Sequence, residues 1–376
     1  MRPLRFLLIL AIVVPLSADF AKLGTAGAQF LKITVGRGSA MGEAFVAVSD
    51  DATASYWNPA GLARLDKRNL ELCHNEWIGD LRHDYVALAL PFTGFGTLGV
   101  SFTILTMGNM EYTDVDDPST EAREDTGTGI FFSASDMALG FSYSRMFTDK
   151  LSAGLTVKAV QQRIWDMTAN GLAFDFGTFY HTGFKSLRIA AALSNFGGEM
   201  AFHGRQLYKN IDPNEWYEGR ETEGVPRENV PVELQSKPFG LPLTFRFGVA
   251  YNLIENESSV LTSALDLVHP NDNYESLSLG LEYGYLKRLF VRLGYRMYTN
   301  IDYMKQLTGG EEVVDPSTGE ITGYEWGDDK IAMLNNLSGG VGFNWNSGGL
   351  GLGIEYCYMN KGLLRHTHRI GLGITF

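Results

Sequence analysis

The chain has two cysteines in 376 residues, Cys73 and Cys357, which is too few for a scaffold held by many disulfides. It has no apolar run of 18 residues after its first 18 positions, so no helix of the later chain is long and greasy enough to span a bilayer. Basic residues are in deficit, 31 Lys and Arg against 43 Asp and Glu, and this removes the electropositive footprint of a nucleic-acid binder. No GxSxG elbow is present, and no Ser, His and acid set can be grouped for nucleophilic catalysis. No linker-like stretch divides the chain, which favours one large domain.

Glycine is in excess, at 43 residues, or about 11% against the usual ~7%. Most of the chain has an apolar period of two. Met137, Leu139, Phe141 and Tyr143 alternate with Ala138, Gly140, Ser142 and Ser144; Leu243, Phe245, Phe247, Val249 and Tyr251 alternate with Thr244, Arg246, Gly248, Ala250 and Asn252. One face is large and apolar, the other small or charged. A soluble sheet also alternates. Strands of nine to twelve residues, however, match a tilted membrane-spanning strand, whereas soluble strands average five or six.

Fourteen stretches are predicted, all but the longer 150–163 of this length: 69–77, 82–91, 96–106, 136–147, 150–163, 171–181, 185–195, 243–254, 260–268, 275–285, 289–298, 337–346, 349–359 and 365–376. Every second connection is a tight turn; the others include the longest, 107–135, 196–242 and 299–336. These three loops hold seven acidic and one basic residue, eight and five, and eight and two, a combined charge of −15 against −12 for the whole chain. Short turns on one side and long loops on the other is the pattern of an outer-membrane barrel with both ends periplasmic. The expected fold is therefore all-β, a 14-stranded antiparallel transmembrane barrel in contact with outer-membrane lipid.

The expected organisation has three parts. Residues 1–18 read as a secretory signal, with two arginines followed by the 11-residue apolar run Phe6 to Leu16. Residues 19–67 are the only long stretch that does not read as strand, and residues 68–376 form the barrel. Fourteen strands should leave a void, which the 19–67 segment is expected to plug. In it, Gly36, Gly38 and Gly42 permit tight turns, and a short helix is expected from near Ser39. Asp50 or Asp51 should cap a second helix that ends before Pro59. Asn58 should cap a third turn, with Pro59 at its first position and Gly61 helping to close it, so that Asn58, Pro59, Ala60 and Gly61 form one unit.

Strand parity directs eleven charges into the lumen: Lys158, Arg188, Arg246, Arg292, Arg296 and Arg369, facing Glu71, Asp175, Asp266, Glu282 and Glu355. Buried charges persist when paired, so a ladder of ion pairs is expected along the wall, with a polar conduction path as the sharper alternative. Other motifs carry less. Gly36, Gly38 and Gly42 are spaced GxGxxxG with no βαβ repeat after them, so no nucleotide cofactor is expected. His366 and His368 offer two nitrogens on one face but no evident third metal ligand. The run Asp114, Asp116, Asp117 lacks the glycine and closing glutamate of an EF-hand. No catalytic residue, metal or other cofactor is expected.

The run AGAQFLKITVGRGSAMGEAFVAVSDDATASYWNPAGLA, with LSNFGGEMAFHG, LPLTFRFGVAY and ALDLVHPNDNYESLSLGLEYGY, resembles the PorV/PorQ family, a branch of the FadL-like barrels. The resemblance implies a 14-stranded FadL-like barrel with an N-terminal plug, a non-enzymatic part in type IX protein secretion, and contact with secreted cargo domains or a translocon channel. The alternative it leaves is a FadL-like passage for small hydrophobic molecules. The alternating last strand ends in Phe376, which resembles the C-terminal signal read by the outer-membrane assembly machinery.

Overall fold

The computed structural model describes residues 27–112, 129–211, 230–299, 310–314, 321–326, 336–362 and 366–376. The expected signal segment, the Asp114–Asp117 run and parts of the long loops lie outside these residues. Fourteen strands form a closed antiparallel barrel. They are β1 Asn69–Glu76, β2 Arg82–Phe92, β3 Gly96–Thr106, β4 Ala134–Met146 and β5 Leu151–Ile164. Then come β6 Met167–His181, β7 Arg188–Gly197, β8 Thr244–Glu255, β9 Ser259–Pro270 and β10 Ser276–Tyr285. The last four are β11 Leu289–Tyr298, β12 Leu337–Ser347, β13 Leu350–Asn360 and β14 His366–Thr375. Each pairs with its sequence neighbours, and β14 closes on β1 with Leu70 opposite Ile374 and Glu76 opposite His368.

The alternation does what its period requires. Phe141, Leu293, Ile354 and Ile370 point outward and are exposed, while Ala87, Ala138, Ser142 and Asp175 point inward and are buried. Closure removes both sheet edges, so every strand has a partner on each side. Phe376 extends the ladder beyond β14 through two backbone bonds with Arg68, of 2.9 and 3.2 Å, and leaves its ring outside.

Two details differ from the periodicity. The connection from β5 to β6 is only Trp165–Asp166, because β6 starts at Met167. Thr168 and Asn170 break the run of large outward residues there and hide four residues of strand. The second difference is inside the outer loops, where three two-stranded hairpins form: Met110–Glu111 with Phe131–Phe132, Tyr208–Ile211 with Val230–Glu233, and Gly310–Val314 with Ile321–Trp326.

Cys73 on β1 and Cys357 on β13 both face inward and both are free thiols. Cys73 is opposite Gly371 and Cys357 is opposite Arg369, so β14 stands between them. Two strand spacings of ~4.8 Å alone put them at least about 9 to 10 Å apart, past the ~7 Å reach of a disulfide. Denatured protein that has never met reductant should take up two equivalents of a thiol reagent. Uptake of none would mean a Cys73–Cys357 bridge and a different closure.

Candidate functional site: the plugged lumen

The lumen is filled by residues 27–65. The most buried large side chains of the described residues include Phe30, Met41, Phe45, Trp57 and Leu62, all from this segment. Its local structure is a series of short turns, 3-10 at Gln29–Lys32, Arg37–Met41 and Pro59–Arg64, with one α-helical turn at Ala54–Trp57. Instead of a helix from Ser39, the first turn after Gly36 is therefore 3-10 and begins at Arg37. The reason is the backbone: Gly36 and Gly42 adopt φ of 58° and 64°, which breaks a helix at both ends. Gly38 keeps ordinary geometry, but a Cβ there would meet Trp57 and Phe45.

The second helix is one turn. Its N-cap is Thr53, with no side-chain cap bond, and neither Asp50 nor Asp51 caps it; Asp51 Oδ1 instead accepts from the Thr53 amide at 2.8 Å, in the turn that leads into the helix. Asn58 caps the last turn by accepting from the Ala60 amide at 3.1 Å, and Pro59 takes its first position. Asn58 also donates to the Val46 and Thr178 carbonyls, tying plug to wall. Gly61 does not close the turn. It lies within it, where a Cβ would press on the Ser49 carbonyl, and the turn runs on to Arg64.

Only part of the expected wall ladder exists as such. Lys158 pairs with Asp175 at 2.6 Å, and Arg292 bridges Glu282 at 2.6 Å and Glu355 at 3.1 Å. The other charges find different partners. Asp266 Oδ2 accepts from the backbone amides of Phe45 and Val46 at 2.8 and 2.9 Å. Arg296 binds plug residue Glu43 at 2.6 Å, and Glu282 also meets plug residue Arg37 at 3.4 Å. Arg188 donates to Asn252 at 2.7 Å, and Glu71 accepts from Asn69 at 3.0 Å. Arg246 lies over the rings of Tyr56 and Trp57, and Arg369 lies over Trp77 and contacts the Met359 sulfur. An apolar face that can hold a guanidinium leaves no trace in strand parity.

The plug brings charges of its own that parity could not locate. Lys32 pairs with Asp272 at 2.7 Å; Arg37 contacts Asp50 and pairs with Asp51 at 2.7 Å. Lys361 approaches Glu43 at 3.7 Å. Burial pushes the Glu43 carboxyl up, but Arg296 and Lys361 more than offset this and hold it below the usual carboxylate range. Burial lowers Lys361 to about 8, with Glu43 opposing. Because the folded pKa of Glu43 lies under its unfolded value of about 4.3, its contribution is complete above that pH and is lost as pH falls through the folded value. Protection of the plug from protease should therefore hold from about pH 8 to 5 and weaken only below about 4. Weakening already between pH 7 and 5 would contradict the Glu43 anchor.

Open space is unevenly placed. A charged vestibule of about 560 Å³ opens beside the base of the plug, lined by Arg37, Asp51, Glu71, Arg292 and Glu355 among others. Deeper in, two cavities hold about 10 and 20 Å³, room for about one water each. His366 and His368 lie on the outer face, with ring centroids 5.0 Å apart and His368 bonded to the Tyr356 hydroxyl at 2.6 Å. No group of three metal-binding side chains occurs among the described residues.

The geometry defines a class: a fourteen-stranded barrel of the transmembrane type whose lumen is occupied by its own N-terminal segment. The sequence profile of an uncharacterised protein family, UPF0164, matches residues 20–159, which span the plug and the first strands. No curated protein gives a match. Solved structures give the fold. A Pseudomonas aeruginosa FadL homologue superposes with a TM-score of 0.51 at 12% identity, covering 92% of this chain and 98% of its own. The Pseudomonas putida toluene transporter TodX gives 0.50 at 12% identity, covering 90% and 95%. The chain is thus similar in fold to FadL-like transporter barrels along nearly its whole length.

Proposed function

We propose that the protein resides in a bacterial outer membrane and lets small hydrophobic molecules pass by way of its plugged lumen. The observation that carries this is an apolar track that runs from the plug arm to the barrel wall. Phe30, Leu31 and Ile33 of the plug arm pack on Ala138, Val160, Met200 and Leu241. The track reaches the wall at Gly171, where a Cβ would overlap the Met200 side chain. Outside that point lies a groove of about 550 Å³ lined by Phe102, Leu139 and Leu172 among others. A wall one glycine thick separates the two apolar surfaces. Structural neighbours include a toluene transporter, which supports the same substrate class. The export role implied by the resemblance to PorV and PorQ draws on sequence likeness, and no feature of the lumen adds to it.

Binding of a radiolabelled monoaromatic hydrocarbon to the protein in nanodiscs, corrected for empty nanodiscs, tests the reading. A saturable component that Leu31→Asp abolishes is expected. Binding no greater than that of empty nanodiscs would overturn it.

A further inference from the structure

Where β1 meets β2, two successive outward rows of the wall carry charge next to rows that are apolar. On β1 and β2, Leu72 and Val86 are opposite one another, flanked by Leu372 of β14 and Phe102 of β3, and all four are apolar. In the next outward row His74 is opposite Asp84, joined at 2.7 Å, with both side chains about half exposed. This row is flanked by Ile370 on one side and Ile104 on the other. Strand tilt sets one flank above the pair and the other below it, so the ion pair stands at the edge of the apolar rows, one row short of the connection from β1 to β2. One row further, Glu76 is opposite Arg82. Both are exposed, and no ion pair joins them among the described residues.

Hydrocarbon is a poor solvent for such groups, and ionisable side chains on a lipid face are retained against a cost. The two rows also share a sign pattern. Across the β1–β2 seam, each row sets a cation or histidine against an acid, with the acid on β1 in one row and on β2 in the other. A two-fold axis normal to the membrane, beside this seam, lays β1 of one copy against β2 of the other. Glu76 then meets the other copy's arginine at position 82, and His74 meets its aspartate at 84. The interface is self-complementary, as a closed two-fold contact requires. A tilt of ~40° displaces paired residues in height by only about 3 Å over one ~4.8 Å strand spacing, within reach of an arginine side chain.

We propose that the β1–β2 face is the contact surface of a two-fold dimer in the membrane, held by reciprocal Glu76–Arg82 pairs. The partner is a second copy of this chain, and the proposal is independent of what crosses the lumen. It is tested by native mass spectrometry and by sedimentation of the full chain in nanodiscs or mild detergent. Wild type should be dimeric. Glu76→Arg and Arg82→Glu should each raise the dimer dissociation constant roughly tenfold or more, since each sets like charges face to face. Mixing the two single variants should restore a dimer made of one copy of each, because acid again meets base across the axis. The double variant Glu76→Arg, Arg82→Glu should dimerise with itself. All four charges are on the outer surface, and an unchanged heat-modifiable band on gels would show that each variant has kept its barrel. A monomeric wild type, a dimer indifferent to the single reversals, or single variants that do not pair on mixing would each overturn the proposal.

Discussion

Deletion of residues 27–65 should convert a closed barrel into one that conducts ions. The ladder that closes the wall is backbone to backbone, including β1 with β14, and needs nothing from the plug. What the plug supplies is volume. The wall side chains facing it are small: Ala87, Ala89, Ala138, Ala190, Ala192 and Ala264 are all buried against it or near it. Eight strands fill their own interior and sixteen leave a water channel, so fourteen with such a lining leave a pore once emptied. Charges such as Asp266 and Arg246 would then meet water, which removes the cost of burying them. In planar bilayers the deleted form should give discrete steps and the intact chain none. A deleted form that inserts yet stays silent would show that the outer loops, and not the plug, seal the lumen.

A single methylene-bearing side chain should do much of the same. Gly294 on β11 faces Gly42 of the plug so closely that a Cβ on Gly294 would coincide with the Gly42 and Met41 backbone. Gly42 is itself pressed against the Tyr295 amide, and its positive φ already suits glycine. The obstacle is main chain on both sides, with no flexible side chain to swing away. Gly294→Leu should therefore exceed the ~1–3 kcal/mol typical of an overpacked core and expel residues 36–48 from their seat. Asp266 would lose its bonds to Phe45 and Val46, leaving both amides to find water. The expected result is a barrel of normal strand content whose plug is cut by protease and whose lumen conducts. Retained protection and a closed lumen would refute the close packing of Gly42 on Gly294.

The barrel is legible because a strand in lipid repeats every two residues, and the repeat recurs in strand after strand from Leu70 to Ile374. β6 was shortened in that reading because Asn170, outward but polar, bonds to Gln161 of β5 instead of meeting lipid. The plug's Asn58-Pro59 turn was legible because capping is local. Its anchors were not. Arg37 and Glu282, or Lys32 and Asp272, are some 240 residues apart, and only the closed barrel brings them together. Parity could aim Arg246 at the lumen; it could not distinguish a carboxylate from the face of Trp57 as its destination.

If hydrophobic molecules cross this lumen, the arm that carries Phe30 and Leu31 must yield, since the cavity that these residues line holds only about 20 Å³. The arm ends at the Lys32–Asp272 pair. With both positions changed to cysteine, and Cys73 and Cys357 changed to alanine, a short reducible bis-thiosulfonate linker can pin the arm to its loop. The direct measurement is uptake of a radiolabelled monoaromatic hydrocarbon by vesicles with a lipopolysaccharide outer leaflet. Uptake should drop to the protein-free rate when the linker is in place and recover with reductant; a pinned arm that leaves the rate unchanged would contradict passage through the plugged lumen.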